Sequence, residues 1–485
     1  MNFNTVASVL GTMALVTGSA MLVPLGLAIW QNEAEGVAIF ALAAFLSLTI
    51  AFELKNNSSA KDNSLALREG IAITGLGWLM VSLLGMLPYL LGNYLNLLDS
   101  FTESVSGFTG TGATVMNDVE ILPDSLLLWR SLTNWIGGLG IIVIFMAILP
   151  QMGQGAMHIF RAESTTAGAN RQFPRIRDNA LALFTIYLFF TSLCTCAFVL
   201  CGLTSWAAVN HALTTIATGG FSVYNNGIIG YNSVALEMCM SFFMLISSVS
   251  FTLYLMALRH GGKILLNSTE LGFFVGIVTV ASVLIGIDLM TEMNLPAGEA
   301  FRYAVFHVAS ISSTTAFVTY DFDLWPGFTK GLLIMLMFMG GCAGSTSGGL
   351  KIARVVLLGK LIKGILWQKM HPQMVYSVEM NGQKVPWEIL TAAGRYFFAY
   401  IMIDVTFAGI MILDGIEMTD AVGVAVSTLG SVGPGFGLAG AMSNYSLLPP
   451  LSKICACAVM LLGRLEIFTV LALFNPGLWQ RGKAW

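Results

Sequence analysis

Charge is scarce in this 485-residue chain: Asp, Glu, Lys and Arg together make up 10% of it, against roughly 25% in a typical soluble domain. A chain so poor in charge cannot cover itself with a water-facing surface, and with 56% apolar residues its main solvent is lipid. Its net charge of −3 is too small to mark a nucleic-acid or acidic partner, so where the charges sit matters more than their sum. Histidine is equally rare, at five residues, and no His-Glu-x-x-His or Gly-x-Ser-x-Gly pattern falls in an apolar run. Nor is there a cluster of carboxylates at membrane depth, which argues against an intramembrane enzyme. The seven cysteines are odd in number, lie in apolar stretches and lack the His-rich spacing of a zinc site, so they read as small buried apolar side chains. No basic stretch precedes the first apolar run at 6–30, which therefore reads as a retained helix and not a cleaved leader.

What the chain has in abundance is long apolar runs. Ten are long enough to cross a hydrocarbon layer of about 30 Å as helices: 5–30, 37–54, 69–97, 124–150, 179–203, 233–258, 269–291, 328–365, 388–413 and 449–476. Four shorter segments, 98–115, 205–222, 297–318 and 419–437, lie between them and end in small residues and Thr. Charge sorting tests this count, because short cytoplasmic loops collect Lys and Arg. With Met1 inside, seventeen of the 23 basic residues fall on the inner side, from Lys55, Lys61 and Arg68 through Arg259 and Lys263 to Arg481 and Lys483. Arg395 lies near the inner start of its helix, and Arg130, Arg302, Lys330, Lys453 and Arg464 are the exceptions. Acids such as Glu33, Asp99, Glu103, Asp118, Glu120, Asp288, Asp321 and Asp420 gather on the other side. The sorting holds only if the four short segments enter and leave on the outer face.

After the first two spans, a unit of helix, short segment, small-residue loop and helix occurs four times, and such repetition constrains a fold more than any single motif. The loops read Thr109-Gly110-Thr111-Gly112-Ala113-Thr114-Val115, Ala217-Thr218-Gly219-Gly220-Phe221-Ser222, Ser313-Thr314-Thr315-Ala316-Phe317 and Val432-Gly433-Pro434-Gly435-Phe436-Gly437. Helical stretches at 100–108, 206–216, 300–312 and 421–429 precede them. The expected fold is an all-α integral membrane protein: four pseudo-symmetric helix, pore-helix, loop and helix repeats around one pore, plus two N-terminal transmembrane helices. The division expected is 1–60 for the N-terminal pair, then 61–165, 166–265, 266–380 and 381–485 for the repeats. A cation that leaves water needs replacement oxygens, and rings of backbone carbonyls supply them without a fixed anion. Glycine permits the backbone conformation this requires, and non-helical backbone is tolerated at membrane depth where it lines a water-filled cavity. The short helices, entered from outside, also aim their partly negative C-terminal ends at the membrane centre.

On these loops, and on Gly340-Gly341-Cys342-Ala343-Gly344-Ser345-Thr346-Ser347-Gly348-Gly349, Leu429 and Gly463-Arg464-Leu465-Glu466-Ile467-Phe468-Thr469, the chain resembles the Trk/Ktr/HKT superfamily of K⁺ transporters. The two additional N-terminal spans favour its bacterial TrkH/TrkG branch. The resemblance implies K⁺ uptake through a pore like that of a tetrameric channel fused into one chain, in the bacterial inner membrane with both termini cytoplasmic. It also implies a homodimer and a cytoplasmic nucleotide-binding regulatory subunit of the TrkA type. The K⁺-binding filter it implies comprises Thr111 and Gly112, Thr218, Gly219 and Gly220, Thr315 and Ala316, and Val432 and Gly433. Ala316 stands where the other repeats have glycine, and its methyl group is expected to restrict the backbone or narrow the ring.

Further residues follow from the same resemblance. Gly344, Ser345, Thr346, Ser347, Gly348 and Gly349 interrupt an apolar stretch too long for one straight helix; the family reading is an intramembrane loop that occludes the pore, with Lys351 adding charge beside it. Arg464 lies in the last apolar span, where a charge costs at least about 2.5–3.5 kcal/mol. The family reading sets it below the filter as a repulsive barrier to cations; a buried ion pair with Glu466 or Asp404 is the alternative. Asp99, Glu103, Asp118 and Glu120 flank the first loop, either to concentrate cations or as solvated loop charges. His211 and His307 read as hydrogen-bonded structural residues. The basic segments 151–178 and 351–387 suit a cytoplasmic partner or anionic lipid headgroups. An ion-coupled symporter with the same filter is the rival reading of function; alternating-access transporters, however, are commonly built from two inverted halves, whereas these four units share one orientation.

Overall fold

The computed structural model describes residues 1–58, 67–148, 176–373, 376–465 and 467–479. Lys61, the loop basic residues Arg161, Arg171 and Arg175, Glu466, and the terminal Arg481 and Lys483 lie outside the described residues, as do the expected unit boundaries near 60 and 165.

The chain is a helical membrane protein. Among the described residues six helices are long and apolar enough to cross a bilayer: Phe3–Gln31, Ala34–Asn56, Arg68–Leu91, Asn179–Leu200, Thr269–Glu292 and Trp387–Leu413. Two bent helix pairs are each long and apolar enough to cross when taken as one span, Val234–Ser247 with Phe251–His260, bent by 84°, and Pro450–Arg464 with Ile467–Leu473. Asp124–Ile148 and the interrupted pair Gly327–Met339 and Ile352–Met370 occupy the two remaining places in the ten-span reading. The third span stops at Leu91 instead of 97. It ends at Gly92 and Asn93, the latter at a positive φ of 52°, and Asn96 starts a new helix by accepting the Asp99 N–H at 2.9 Å.

Local chemistry sets the other boundaries. Ser233 and Ser268 cap their helices by accepting the Leu236 and Leu271 N–H groups, while Pro296, Pro326 and Pro386 stand immediately before helices, where a missing N–H costs nothing. The bend in the second helix of the second repeat, at 248–250, was not visible as an interruption in the hydropathy. A short hairpin pairs Glu379 with Lys384 and Met380 with Gln383. Asn381 and Gly382 form its turn, both at positive φ (52° and 74°), the conformation that an Asn-Gly pair favours.

The largest core cluster joins the N-terminal helices to the first and second repeats. Trp129 is fully buried and meets Phe40 and Phe108 edge-on, at 6.3 and 6.2 Å between ring centres. Its indole N–H donates to the Gly85 carbonyl at 3.1 Å, so the ring fills the core without leaving a polar atom unpaired.

Candidate functional site: a ring of four loops

Four short helices, Leu97–Thr109, Ser205–Ile216, Ala297–Ser312 and Met418–Leu429, each end in one of the small-residue loops. They match the stretches expected from the sequence to within three residues. Each loop leaves its helix through the same two backbone bonds. Gly110, Thr218, Thr314 and Ser431 donate to carbonyls three residues back, those of Gly107, Thr215, Ile311 and Thr428, at 3.0–3.2 Å. Thr111, Gly219, Thr315 and Val432 donate to carbonyls five residues back, those of Ser106, Thr214, Ser310 and Ser427, at 2.8–3.0 Å. Sequence likeness among the loops is thus the visible part of a closer likeness in backbone.

The dihedral angles repeat as well. Gly110 and Gly112, Thr218 and Gly220, Thr314 and Ala316, and Ser431 and Gly433 all have positive φ, from 53° to 100°. The residue between each pair does not. Backbone that alternates between positive and negative φ departs from both helix and strand, as carbonyls lining a narrow axis require. Ala316 has φ 60°, so its methyl group does not divert the backbone from the conformation of Gly112, Gly220 and Gly433, although an L-residue there carries a cost of roughly 1–2 kcal/mol.

Glycine is required at these points by close approach too. A β-carbon on Gly112 would run into the Gly219 carbonyl, one on Gly220 into that of Thr315, and one on Gly433 into that of Thr111. Loop 1 therefore abuts loop 2, loop 2 abuts loop 3, and loop 4 returns to loop 1. On the remaining side the chain leaving loop 3 meets loop 4, where Phe322 and Phe436 pack at 5.3 Å between ring centres, so the four loops follow one another in chain order around a ring.

Beneath the ring lies the interruption between Met339 and Ile352. Gly340, Gly344 and Gly349 have positive φ (67°, 77° and 81°), which is why this stretch leaves the helix. It is fastened on several sides. Thr346 directs its hydroxyl to the carbonyls of Ile216 and Ser247 at 3.1 and 3.2 Å. The Gly348 N–H donates to Thr314 Oγ1 at 2.9 Å, and Gly348 packs so closely on the Gly430 carbonyl that no β-carbon would fit. Ser345 and Ser347 share a hydroxyl bond of 2.6 Å, and the Lys351 ammonium donates back to the Ser347 carbonyl. From the first helix of the same repeat, buried Glu270 accepts the Ala343 N–H at 2.6 Å, a tether that sequence reading missed.

Arg464 ends its helix immediately beyond Gly463, whose lack of a side chain lets it lie on the Leu429 carbonyl. Its guanidinium donates to the carbonyls of Thr346 at 2.8 Å and Gly138 at 3.2 Å, and also to that of Gly137. One side chain from the fourth repeat thus joins the first repeat to the interrupted helix of the third. Of the two ion-pair partners expected as alternatives, Glu466 lies outside the described residues, and one carboxylate oxygen of Asp404 is buried without a hydrogen-bond partner.

Three basic residues that broke the charge sorting are explained by carboxylates beside them: Arg130 by Glu103 at 2.9 Å, Arg302 by Glu237 at 2.8 Å and Lys453 by Asp99 at 2.6 Å. This corrects the reading of two acids near the first loop. Glu103 is fully buried and Asp99 is paired, so neither is a solvated loop charge. Asp118 and Glu120 are exposed and accept bonds from the Asn225 side chain and backbone; the bond from Asn225 holds the Asp118 carboxyl below its usual range. His211 and His307 are both buried, with ring nitrogens against Ala207 O and Ser222 Oγ, and against Tyr303 O and Tyr320 O.

The fold and the ring together define a class: a multi-pass helical membrane protein in which four re-entrant loops of one chain meet around an axis. The family model for TrkH, described as a cation transport protein, matches residues 38–481. The Trk system potassium uptake protein TrkH of Escherichia coli (strain K12) is 33% identical over 485 residues, covering 99% of this chain and all of its own. TrkG of the same strain is 30% identical over 480 residues, 97% of each chain. The crystal structure of the potassium transporter TrkH from Vibrio parahaemolyticus superposes with a TM-score of 0.90 at 32% identity, covering 99% of this chain and all of that one. The chain belongs to the TrkH family of cation transport proteins.

Proposed function

We propose that the chain takes up K⁺ through the ring of four loops, with the Gly340–Lys351 loop and Arg464 as the barrier beneath it. The observation that carries this reading is the alternation of positive and negative φ repeated in all four loops. It offers a dehydrating cation several carbonyl oxygens already in place. The C-terminal ends of four short helices converge on the same region, and their partial negative charge favours a cation. Relatives named as potassium uptake proteins support K⁺ as the ion.

On this reading Thr111, Gly112, Thr218, Gly219, Gly220, Thr315, Ala316, Val432 and Gly433 form the filter. Gly344, Ser345, Thr346, Ser347, Gly348, Gly349, Lys351 and Arg464 control passage. The sorting of Lys and Arg supports both termini being cytoplasmic, and family likeness supports the bacterial inner membrane. Family likeness supports a homodimer and a cytoplasmic TrkA-type nucleotide-binding subunit, docked where the inner basic segments also suit anionic lipid.

The test is tracer flux into liposomes that carry the purified protein, comparing K⁺, Rb⁺ and Na⁺. Uptake of K⁺ and Rb⁺ over Na⁺ down their own gradients is the expected result. Uptake that requires an H⁺ or Na⁺ gradient would replace it with ion-coupled symport through the same ring. Absence of cation flux, even with the regulatory subunit added, would overturn the reading.

A further inference from the structure

One position recurs in the short helices without recurring in chemistry. Eight residues before Thr111, Gly219, Thr315 and Val432 stand Glu103, His211, His307 and Val424. The first three side chains reach the chain that climbs away from the ring. Glu103 accepts the Val115 N–H at 2.9 Å and the Thr114 hydroxyl at 3.1 Å. His211 Nε2 lies 3.2 Å from Ser222 Oγ, and His307 Nε2 lies 3.0 Å from the Tyr320 carbonyl. Val424 has no polar group, and in its repeat Tyr445 takes over: its hydroxyl donates to the Gly433 carbonyl at 2.6 Å and its N–H to that of Thr114 at 2.8 Å.

Glu103 is the charged member of this set, and Arg130 matches it. The Arg130 Nε donates to Glu103 Oε1 at 2.9 Å, with both side chains at most 3% exposed. The same guanidinium donates to the Ser222 carbonyl at 3.0 Å and to Thr114 Oγ1 at 3.3 Å, and lies 4.3 Å over the Phe221 ring. It therefore ties the chain leaving loop 1 to the chain leaving loop 2. The Arg302–Glu237 pair is as close, but Arg302 bonds to Glu237 and Asn232, which lie outside the four ring loops.

We infer that the Glu103–Arg130 pair is a positioning device for ion specificity, holding loops 1 and 2 at a set separation. This rests on the reading of the ring as the ion path. A planar guanidinium held by a buried carboxylate, a backbone carbonyl and an aromatic face has no freedom to follow a loop inward. The ring then keeps the spacing suited to a larger ion instead of closing on a smaller one.

The test measures K⁺ against Na⁺ uptake in liposomes for the wild type, Arg130→Lys and the double variant Glu103→Gln with Arg130→Met, which leaves no unpaired buried charge. Arg302→Gln with Glu237→Gln is the control. The expected result is a fall in the K⁺/Na⁺ ratio of about tenfold in both Arg130 variants, with K⁺ uptake retained and the control unchanged. A brace needed only for folding would lower the yield and leave the ratio alone. Thr114→Val keeps both charges and removes the hydroxyl they share, so a fall of about threefold is expected even if the charge variants do not fold. A wild type that selects K⁺ while every folded variant keeps its ratio would overturn this inference alone. A wild type that conducts no cation would overturn the ion-path reading and this inference with it.

Discussion

Thr314 Oγ1 accepts the backbone N–H of Gly348 at 2.9 Å. Thr314 is the left-handed residue at the base of the third loop, and Gly348 belongs to the stretch that interrupts the next helix. The interruption is thus fastened to the third loop of the ring, within one repeat, and Thr346 extends the attachment to the second repeat through the Ile216 and Ser247 carbonyls.

Replacing Thr346 with Val keeps the volume and removes the donor to both carbonyls. A net hydrogen bond contributes ~0.5–1.5 kcal/mol, so the closed arrangement should weaken by a comparable amount and Rb⁺ uptake should rise by roughly threefold to tenfold. Unchanged uptake would show that this attachment does not hold the barrier.

Arg464→Ala removes three donor contacts to the carbonyls of Thr346, Gly137 and Gly138 together with the charge beneath the ring. Hydrogen bonds from charged groups contribute ~1.5–3 kcal/mol each, and uptake should accelerate by about tenfold or more. Arg464→Lys keeps the charge but loses the forked geometry and should fall between the two. Equal rates for Lys and Ala would assign the effect to geometry and not to charge.

Gly112→Ala and Gly220→Ala should abolish selective uptake, because the new methyl group meets the Gly219 or the Thr315 carbonyl. Ala316→Gly should behave differently. It relieves roughly 1–2 kcal/mol of left-handed strain and gives back about 0.5–1 kcal/mol through the freer unfolded chain. Since Ala316 already has the backbone of its glycine counterparts, the K⁺/Na⁺ uptake ratio should stay within about twofold of wild type. A large gain in selectivity would mean that the methyl group, and not the backbone, limits this seam.

Asp99→Asn should lower thermal stability. The Lys453–Asp99 pair, at 2.6 Å and with side chains 9% and 15% exposed, links the last repeat to the first. Removing one partner of a well-buried pair costs ~3–5 kcal/mol, and partial exposure reduces that to about 1–3 kcal/mol. Thermal unfolding followed by gel filtration measures the loss, which the double variant Asp99→Asn with Lys453→Met should largely reverse.

Much of this architecture was written locally. Runs of apolar residues determine the crossings, because a lipid-facing backbone must bond to itself. The short helices were visible as apolar stretches that end in Gly, Ser and Thr, and the interruption at 340–351 as a density of glycine that a helix does not sustain. The Asn381-Gly382 turn carried a legible signal that hydropathy passed over.

Other features have no local signature. The order of the loops around the ring depends on Gly112 meeting Gly219, Gly220 meeting Thr315 and Gly433 meeting Thr111, contacts between residues up to several hundred positions apart. Glu103 and Arg130 looked like a loop acid and a misplaced base, and Asp99 and Lys453 likewise, because a charge reads as exposed until its partner is known. By itself the sequence determined that four similar loops exist and which conformations their residues tolerate, since both follow from the chemistry of neighbours along the chain. Only the tertiary structure decided which loops touch, which buried charges pair, and where Arg464 and Gly348 dock, because those outcomes depend on helix packing that brings distant residues within hydrogen-bond reach.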